Sequence, residues 1–338
     1  MSTSAEITTP APPGRSAGAA LRVVALVNPA SGTADRQRQD DLRRELAAAF
    51  AANGVAAELE FVPGDRLLNA TERAAGRVRA GAIDAIIVGG GDGSVHTVAG
   101  ALSGTGIPLG VLPLGTLNHF AKDLGIPAGL AGAVAVIAEA NARPVDLAEV
   151  NGRAFVNNSS IGIYPFMVVD RERRRRRRKL AKWTATVLAV LRSLSHFPLR
   201  RLEICGPGWT EPCRTPCVFV GNNEYRLERT SFGTRARIDR GELWLCVAPP
   251  QSRLGLLSLA LKSALGLLRQ SRDLRTFRAD SAEIRSRRKR LVVAVDGEVE
   301  ILETPLRYRT RPGALRVFAP AETQPPETGG RSAEPAAH

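Results

Sequence analysis

The chain has 338 residues, of which 44% are hydrophobic, and it carries a formal net charge of +14. This length predicts two domains with a substantial core, and the positive charge predicts an anionic partner. The chain contains no nucleic-acid-reading motif and no interleaved aromatic pattern, so nucleic acid is excluded as the expected partner and an acidic membrane surface is favoured.

The first part of the chain predicts strands that alternate with helices. Residues 1–20 form a tail with little that could pack. Strands are predicted at 21–27, 56–61, 85–88 and 108–112, and helices from Asp40 to Asn53, at 67–80 and at 120–124. This alternation predicts a parallel sheet with helices on both faces, whose ligand loops gather at the carboxyl ends of the strands.

The run Gly89-Gly90-Gly91-Asp92-Gly93-Ser94 follows the third predicted strand. Its glycines are expected to adopt positive φ angles and to let backbone N–H groups approach a ligand, and Ser94 is expected to cap the next helix. A strand, a glycine loop and a helix N-terminus together form an anion site, most often for phosphate. The carboxylate of Asp92 beside phosphate implies an intervening Mg²⁺. An ordinary strand–helix turn is the alternative, although one glycine would suffice for it.

Two further polar loops follow neighbouring strands of the same predicted sheet. They are Asn28-Pro29-Ala30-Ser31-Gly32 and Pro113-Leu114-Gly115-Thr116-Leu117-Asn118. Because all three loops follow strand ends, one composite site is predicted. The chain lacks both the P-loop motif and a strict Gly-x-Gly-x-x-Gly, so the common phosphate loops are not indicated.

From about residue 144 the pattern changes to short strands separated by turns, which predicts an antiparallel second domain of sandwich or barrel type. The predicted strands lie at 144–150, 153–158, 199–205, 215–220, 241–247, 282–285 and 291–295. The last one runs into Asp296-Gly297-Glu298, where two carboxylates flank a glycine in a tight turn. A plain surface hairpin explains that turn equally well.

A dense positive run, Arg173 to Lys179, lies in the segment 170–196 and precedes apolar residues at helical spacing from Trp183 to Leu194. This chemistry is typical of contact with an anionic membrane, and a charged loop before a core helix is the alternative. The apolar run 254–268 is too short to span a membrane and contains Lys262.

The chain contains four cysteines without a second Cys or His pair at zinc-like spacing: Cys205, Cys213, Cys217 and Cys246. They are predicted to be mostly buried apolar residues of a protein in a reducing compartment, the cytoplasm. The sequence leaves the oligomeric state open, with a homodimer as one possibility.

Five motifs, in this order, resemble the diacylglycerol kinase catalytic-domain family, which includes bacterial soluble lipid kinases and sphingosine and ceramide kinases. They are Asn28–Gly32, Gly89–Ser94, Pro113–Asn118, Val145-Asp146-Leu147 and Asp296-Gly297-Glu298. The resemblance implies an α/β nucleotide-binding domain of NAD kinase/diacylglycerol kinase type at 21–143 and a β-rich, antiparallel, sandwich-like lipid-substrate domain at 144–300. The segment 301–319 would return to the first domain, and 320–338 would be a second tail.

The resemblance also implies ATP and Mg²⁺ as cofactors. The nucleotide would be held by residues of the first three motifs and the helix after the second: Asn28, Pro29, Ser31, Gly32, Gly90, Gly91, Asp92, Gly93, Ser94, His96, Gly115, Thr116 and Asn118. Asp92 and Asp146 would help to place the catalytic Mg²⁺. Glu298, together with Asp296, would accept the proton of the lipid hydroxyl.

Three departures from the family pattern stand out. Ser94 replaces a threonine and keeps the hydroxyl, and Val62-Pro63 replaces a threonine that contacts the nucleotide. The family's structural Mg²⁺ site pairs two aspartates before a glycine, but here Arg240 replaces the partner of Asp239, so this second metal is not expected to bind.

These inferences predict an ATP-dependent lipid kinase that phosphorylates a hydroxyl of a diacylglycerol-like lipid at the inner membrane surface, held there through Arg173–Lys179. The alternatives are an NAD-kinase-like enzyme with a soluble acceptor and a non-catalytic nucleotide- or lipid-binding protein on the same scaffold.

Overall fold

A computed structural model describes residues 20–29, 36–162, 199–226, 234–235, 237–248 and 274–321. Its helices are α1 (Arg36–Ala52), α2 (Leu67–Arg79), α3 (Asp92–Leu102), α4 (His119–Asp123) and α5 (Leu130–Ala138). Its first nine strands are β1 (Leu21–Val27), β2 (Val55–Phe61), β3 (Ala85–Gly90), β4 (Pro108–Pro113), β5 (Ala142–Val150), β6 (Arg153–Phe155), β7 (Asn158–Gly162), β8 (Arg200–Gly206) and β9 (Trp209–Thr215). The others are β10 (Cys217–Asn222), β11 (Tyr225–Arg226), β12 (Thr234–Arg235), β13 (Leu243–Val247), β14 (Arg275–Ala279), β15 (Ser281–Ser286), β16 (Arg290–Val295), β17 (Glu298–Glu303) and β18 (Leu306–Phe318).

The first domain contains the predicted parallel sheet. Strands β2, β1, β3 and β4 lie side by side in this order, all parallel. All six residues of β3 are buried, as expected where helices cover both faces of a sheet. The helices pack in two groups, α1 with α5 and α2 with α3. The carboxyl ends of β1, β3 and β4 therefore meet at one edge, where the three polar loops begin.

A long strand near the C-terminus joins the two halves of the molecule. One end of β18 pairs in parallel with β4, and its length pairs antiparallel with β5 and β15. The result is a mixed ten-stranded sheet in the order β2-β1-β3-β4-β18-β15-β8-β9, with β5 also on β18 and β6 on β5. No strand is predicted here from the sequence, because four arginines and the Pro312-Gly313 pair interrupt the apolar alternation. The register of β18 shifts between Arg311 and Leu315, at that pair.

The second domain is the predicted β-rich sandwich. A six-stranded sheet in the order β14-β13-β10-β7-β16-β17 is antiparallel at every pairing of its strands. It packs against the antiparallel part of the ten-stranded sheet over a core that includes Phe155, Ile204, Val220, Leu245 and Tyr308. The strands β9, β14 and β17 are not predicted from the sequence, because their charged and polar residues obscure the alternation.

Several details differ from the predictions. Helix α1 begins at Arg36 rather than Asp40, because Arg and Gln at 36–39 are themselves good helix formers. The predicted strand 153–158 is two strands, since the N–H groups of Val156 and Asn157 bond to a carboxylate rather than to a neighbouring strand. Only one of the four cysteines, Cys246, is buried, and the other three are half-buried.

Three predicted features lie outside the described residues: the basic segment 170–196, the apolar run 254–268 and the two tails, apart from a few tail residues next to the domains. Among the helices that are described, none has the length and apolar character needed to cross a membrane.

Candidate active site

Three consecutive glycines lie where strand β3 leads into helix α3. None of the glycines from 89 to 93 has a positive φ; Gly91 is extended, with φ −88° and ψ −177°. The expectation of positive φ angles is therefore wrong. The close approach of the two loops requires glycine at Gly115 of the third loop, because a Cβ atom there would lie 2.5 Å from the Cα of Gly91, whereas a Cβ atom on Gly91 would lie 3.4 Å from the Cα of Gly115.

Ser94 was expected to cap α3, and this expectation is wrong as well. The helix begins two residues earlier, at Asp92, with Gly91 in the capping position and no side-chain cap. The hydroxyl of Ser94 accepts a hydrogen bond of 2.9 Å from Nδ2 of Asn28. The backbone N–H of Asn28 donates to the carbonyl of Gly89 at 2.8 Å. These bonds join the first polar loop, which continues into Pro29, to the glycine loop; Ser31 and Gly32 lie outside the described residues.

The N-terminus of α3 has the properties of an anion site. Its first helical bond runs from the N–H of Val95 to the carbonyl of Gly91 at 3.1 Å, so the N–H groups before Val95 have no acceptor within the helix. These groups and the helix dipole favour a negative charge. Asp92 adds a half-buried carboxylate in the same turn, and its Oδ1 accepts a long bond of 3.4 Å from the N–H of Phe120.

Asn118 determines the shape of the third loop. Its backbone is left-handed, with φ 50° and ψ 49°. Its Oδ1 accepts from the N–H of Gly115 at 3.0 Å, and its Nδ2 donates to the carbonyls of Pro113 and Gly115 at 3.1 and 2.8 Å. The amide of Asn118 is therefore engaged within its own loop, while Thr116 is exposed at the tip. The N–H of Leu114 donates to the carbonyl of Gly90 at 3.1 Å, which joins this loop to the glycine loop.

Asp296 and Gly297 form the two-residue turn between β16 and β17, with positive φ angles of 46° and 88°. The side chain of Asp296 is completely buried. Its Oδ1 accepts from the N–H groups of Asn157 and Asn158 at 2.8 and 2.9 Å, and its Oδ2 accepts from the N–H of Val156 at 2.8 Å. A fourth bond, of 2.7 Å, joins Oδ2 to Nδ1 of a histidine described below. Asp296 therefore anchors the turn.

Glu298 is the first residue of β17, directly after this anchored turn, and its side chain is exposed. Its Oε1 lies 3.8 Å from the position that a Cβ atom on Gly93 would occupy. A carboxylate of the second domain thus faces the first turn of α3 in the first domain. The structure brings together the glycine loop and the Asp-Gly-Glu motif, which lie about two hundred residues apart in the chain.

His96, predicted to contact the nucleotide, is directed at the second domain. Its Nδ1 lies 2.7 Å from Oδ2 of Asp296, and its side chain is 20% exposed. Burial lowers the pKa of His96, but the hydrogen bond to Asp296 and the charges of Asp296, Glu298 and Glu300 outweigh burial and raise that pKa above its usual value. A protonated His96 is therefore favoured beside the buried carboxylate.

Asp92 fits the role of a metal-holding carboxylate. Mg²⁺ in nucleotide sites is held by one or two carboxylates together with phosphate oxygens and water, so a large acidic cluster is not required. No group of three His, Cys, Asp or Glu side chains able to hold a metal occurs in the part of the chain that the structure describes. Oδ2 of Asp92 accepts no hydrogen bond from the described residues, while Oδ1 takes only the long bond from the start of α4.

Asp146 and Asp239 are engaged in other contacts. Asp146 is buried, and its two oxygens accept from the N–H groups of Gly241 and Gly313 at 2.6 and 2.8 Å and from Nδ2 of Asn223 at 3.1 Å. Asp239 accepts two bonds from the side chain of Arg237, which lower its pKa. A magnesium role for Asp146 stays a prediction, and so does the expectation that no structural metal binds beside Asp239.

Sequence reasoning missed Arg235, which lies behind the anchored turn and is fully buried. Its Nε donates to Asp123 at 2.8 Å, its Nη1 to the carbonyls of Val156 and Asn222 at 2.7 and 2.9 Å, and its Nη2 to Oδ1 of Asn157 at 3.0 Å. Arg235 thus joins α4 of the first domain to the segment that binds Asp296. One arginine among many carries no local sequence signal, so only the fold could identify it.

Comparisons with known proteins agree with this geometry. The model of the diacylglycerol kinase catalytic domain matches residues 22–150, and that of the YegS C-terminal NAD kinase beta sandwich-like domain matches residues 167–319. A Pseudomonas aeruginosa protein named "Probable lipid kinase YegS-like" is 32% identical over 70% of this chain and 76% of its own length. A protein of the same name from Pseudomonas fluorescens is 31% identical over 72% of this chain and 80% of its length.

Solved structures show the same likeness. A crystal structure of a diacylglycerol kinase from Bacillus anthracis aligns with a TM-score of 0.62 and 25% identity, covering 88% of this chain and 97% of that one.

Proposed function

The chain belongs to the diacylglycerol kinase catalytic-domain family and is a lipid kinase, and on this premise we propose that it transfers the γ-phosphoryl group of ATP to a hydroxyl of a diacylglycerol-like lipid. The observation that carries the proposal is the position of Glu298. Its carboxylate faces the anion site at the start of α3, from a turn that four hydrogen bonds to Asp296 hold in place.

The chemistry of phosphoryl transfer requires positioning and neutralisation of phosphate charge more than covalent participation by the protein. The N–H groups of the first turn of α3 supply donors for phosphate, and Asn28 and Asn118 hold the flanking loops in shape. A bound Mg²⁺ would neutralise charge on the phosphate oxygens, and Asp92 is the carboxylate placed to help hold it.

Glu298 is assigned the role of general base. A lipid alcohol has a very high pKa, so a carboxylate assists only when it is held within hydrogen-bond reach of the hydroxyl proton. Asp296 cannot share this role, because its lone pairs are taken by Val156, Asn157, Asn158 and His96. Its function is to position the turn that carries Glu298.

The test is transfer of phosphate from γ-labelled ATP into diacylglycerol, with Mg²⁺, by wild type and by Glu298→Gln. We expect Glu298→Gln to lose at least about 100-fold in kcat, within the range typical for a general base, and to retain ATP binding. Glu300→Gln is the matched control, since Glu300 lies two residues further along β17 and pairs with Arg153 at 3.3 Å.

Three outcomes would count against the proposal. Wild-type activity on a soluble acceptor but on no lipid would favour an NAD-kinase-like enzyme. ATP binding without transfer to any acceptor would favour a binding protein. Full activity of Glu298→Gln would remove the assigned base.

The proposal includes action at an anionic membrane surface, supported by a basic patch on the second domain. The Arg287-Arg288-Lys289 turn between β15 and β16 is exposed. Burial, together with the charge of Arg288, lowers the pKa of Arg200 on β8. Arg201 and Arg214 lie directly opposite one another on β8 and β9. Like charges in this arrangement destabilise a sheet, so an anionic partner would relieve them. The predicted contact through Arg173–Lys179 lies outside the described residues.

Sedimentation with phosphatidylglycerol vesicles tests this patch. Each basic residue near an anionic surface contributes about 1 kcal/mol, so replacing 287–289 by glutamine should weaken vesicle binding on the order of 100-fold. Replacing the exposed Arg66, Arg73 and Arg79 beside and within α2 removes the same charge elsewhere and should have a much smaller effect. Equal losses in the two triple variants would show that only net charge matters and would refute the assignment.

A further inference from the structure

One side of helix α3 carries both the anion site and His96. Asp92 and His96 are four residues apart in the helix, so they lie on the same side, about 6 Å apart along its axis. Gly93 lies three residues before His96 and shares that side. Oε1 of Glu298 lies 3.8 Å from the position that a Cβ atom on Gly93 would occupy, and Nδ1 of His96 lies 2.7 Å from Oδ2 of Asp296. The same side of the helix therefore meets both carboxylates of the turn.

The bond from His96 ties the turn to the first domain. The other three hydrogen bonds of Asp296 come from backbone N–H groups of its own domain, in the segment 156–158. These three bonds hold the shape of the turn, whereas the bond from His96 holds its position relative to α3. Glu298 follows Asp296 by two residues. A contact that fixes Asp296 against α3 therefore also fixes the carboxylate of Glu298 against the anion site.

The surroundings of His96 give this bond a defined direction. The side chain is 20% exposed, and α3 packs against β6 of the second domain. The charges that act on the ring belong to three carboxylates of the second domain, Asp296, Glu298 and Glu300. Glu300 is itself paired with Arg153 on β6 at 3.3 Å. A carboxylate only accepts hydrogen bonds, so Nδ1 of His96 is the donor to Asp296.

We propose that His96 is a positioning residue for phosphoryl transfer, whose hydrogen bond to Asp296 sets the distance between the anion site of α3 and the base Glu298. The inference rests on the proposed function and goes beyond it, because it couples nucleotide binding in the first domain to the base in the second. His96 acts through Asp296 and not through the nucleotide contact predicted from the sequence. A displacement of the base by about 1 Å is enough to cost on the order of 100-fold in rate.

Steady-state phosphate transfer from ATP into diacylglycerol tests this role. His96→Ala should lower kcat on the order of 10- to 100-fold and leave the KM for ATP within about twofold of wild type. His96→Asn should recover most of that loss, because the amide nitrogen of asparagine occupies the position of Nδ1. In His96→Gln the amide lies one bond further out, so kcat should stay low. Thr97→Ala is the matched control and should keep the wild-type kcat, since the hydroxyl of Thr97 donates within α3, to the carbonyl of Gly93 at 3.0 Å.

The sharpest comparison uses the Glu298→Gln background, in which no base remains to be positioned. There His96→Ala should cause no further loss of kcat, because the effects of residues that act through one another are not additive. A further loss of kcat in that background, or a raised KM for ATP, would show that His96 touches the nucleotide and would overturn the assignment.

Hydrogen exchange read by mass spectrometry measures the coupling without turnover, so that the coupling and the proposed activity can fail separately. ATP with Mg²⁺ should slow exchange in the peptide 294–302, which contains the turn, in wild type and in Thr97→Ala but not in His96→Ala. This pattern without transfer to any lipid would retain the coupling and refute the proposed activity. Equal slowing in wild type and His96→Ala, together with equal kcat, would refute the coupling and retain the activity.

Discussion

Replacement of Asp296 by asparagine tests the anchored turn most directly. The carboxylate accepts four hydrogen bonds of 2.7–2.9 Å while completely buried. Asparagine keeps one oxygen, which can still accept from Asn157 and Asn158. Its amide nitrogen then faces His96, whose neutral Nδ1 can accept, and the N–H of Val156, which cannot.

The loss is therefore one bond to Val156 and the ionic part of the bond to His96. A hydrogen bond to a charged group contributes about 1.5–3 kcal/mol, so the variant should lose about 3 kcal/mol of unfolding free energy. This is a large share of the stability of an ordinary domain, about 5–15 kcal/mol. Because the same turn carries Glu298, kcat should fall as well.

Urea unfolding at pH 7 measures the free energy of Asp296→Asn against wild type. Asp239→Asn is the control, since Asp239 makes a partly exposed pair with Arg237, and such pairs contribute about 0–1 kcal/mol. A loss below about 1 kcal/mol for Asp296→Asn, or equal losses in both variants, would refute the argument that the carboxylate anchors the turn.

Three further predictions follow from the same contacts. The pKa of His96 is raised in the folded state, so the bond from protonated His96 to Asp296 stabilises the folded protein fully below the unfolded pKa of about 6.5. This stabilisation is lost as pH rises through the folded pKa. Urea unfolding should therefore show a larger difference in stability between wild type and His96→Asn at pH 5.5 than at pH 9. In Gly115→Ala the new Cβ would lie 2.5 Å from the Cα of Gly91, so thermal unfolding should show a loss of about 1–3 kcal/mol, and titration should show weaker ATP binding. Arg235→Met removes the charged partner of the buried Asp123 carboxylate, which then keeps the backbone N–H of residue 235, and should cost about 3–5 kcal/mol in urea. A loss under about 1 kcal/mol would contradict the role of Arg235 as a buried junction.

Local sequence patterns were sufficient for the elements of the first domain except helix α5, which they did not predict. The buried run of β3, the amphipathic face of α2 and the punctuating glycines each carry their own signal, and the parallel order follows from alternation of strands and helices. The Asp296-Gly297 pair likewise predicts the two-residue turn that the structure contains. Local rules misassigned Ser94, because the start of α3 depends on the extended conformation of Gly91 rather than on the presence of a hydroxyl.

The sequence by itself thus determined the glycine loop, the Asp-Gly-Glu turn and the order of the two domains, because each depends on neighbouring residues. Only the tertiary structure decided which partners those residues have. His96 and Asp296 bond across 200 positions, Arg235 joins α4 to the second domain, and β18 pairs with β4. Contacts between residues far apart in the chain leave no periodic signal in either segment. The free energy of each contact depends on burial and on partners that only the fold brings together.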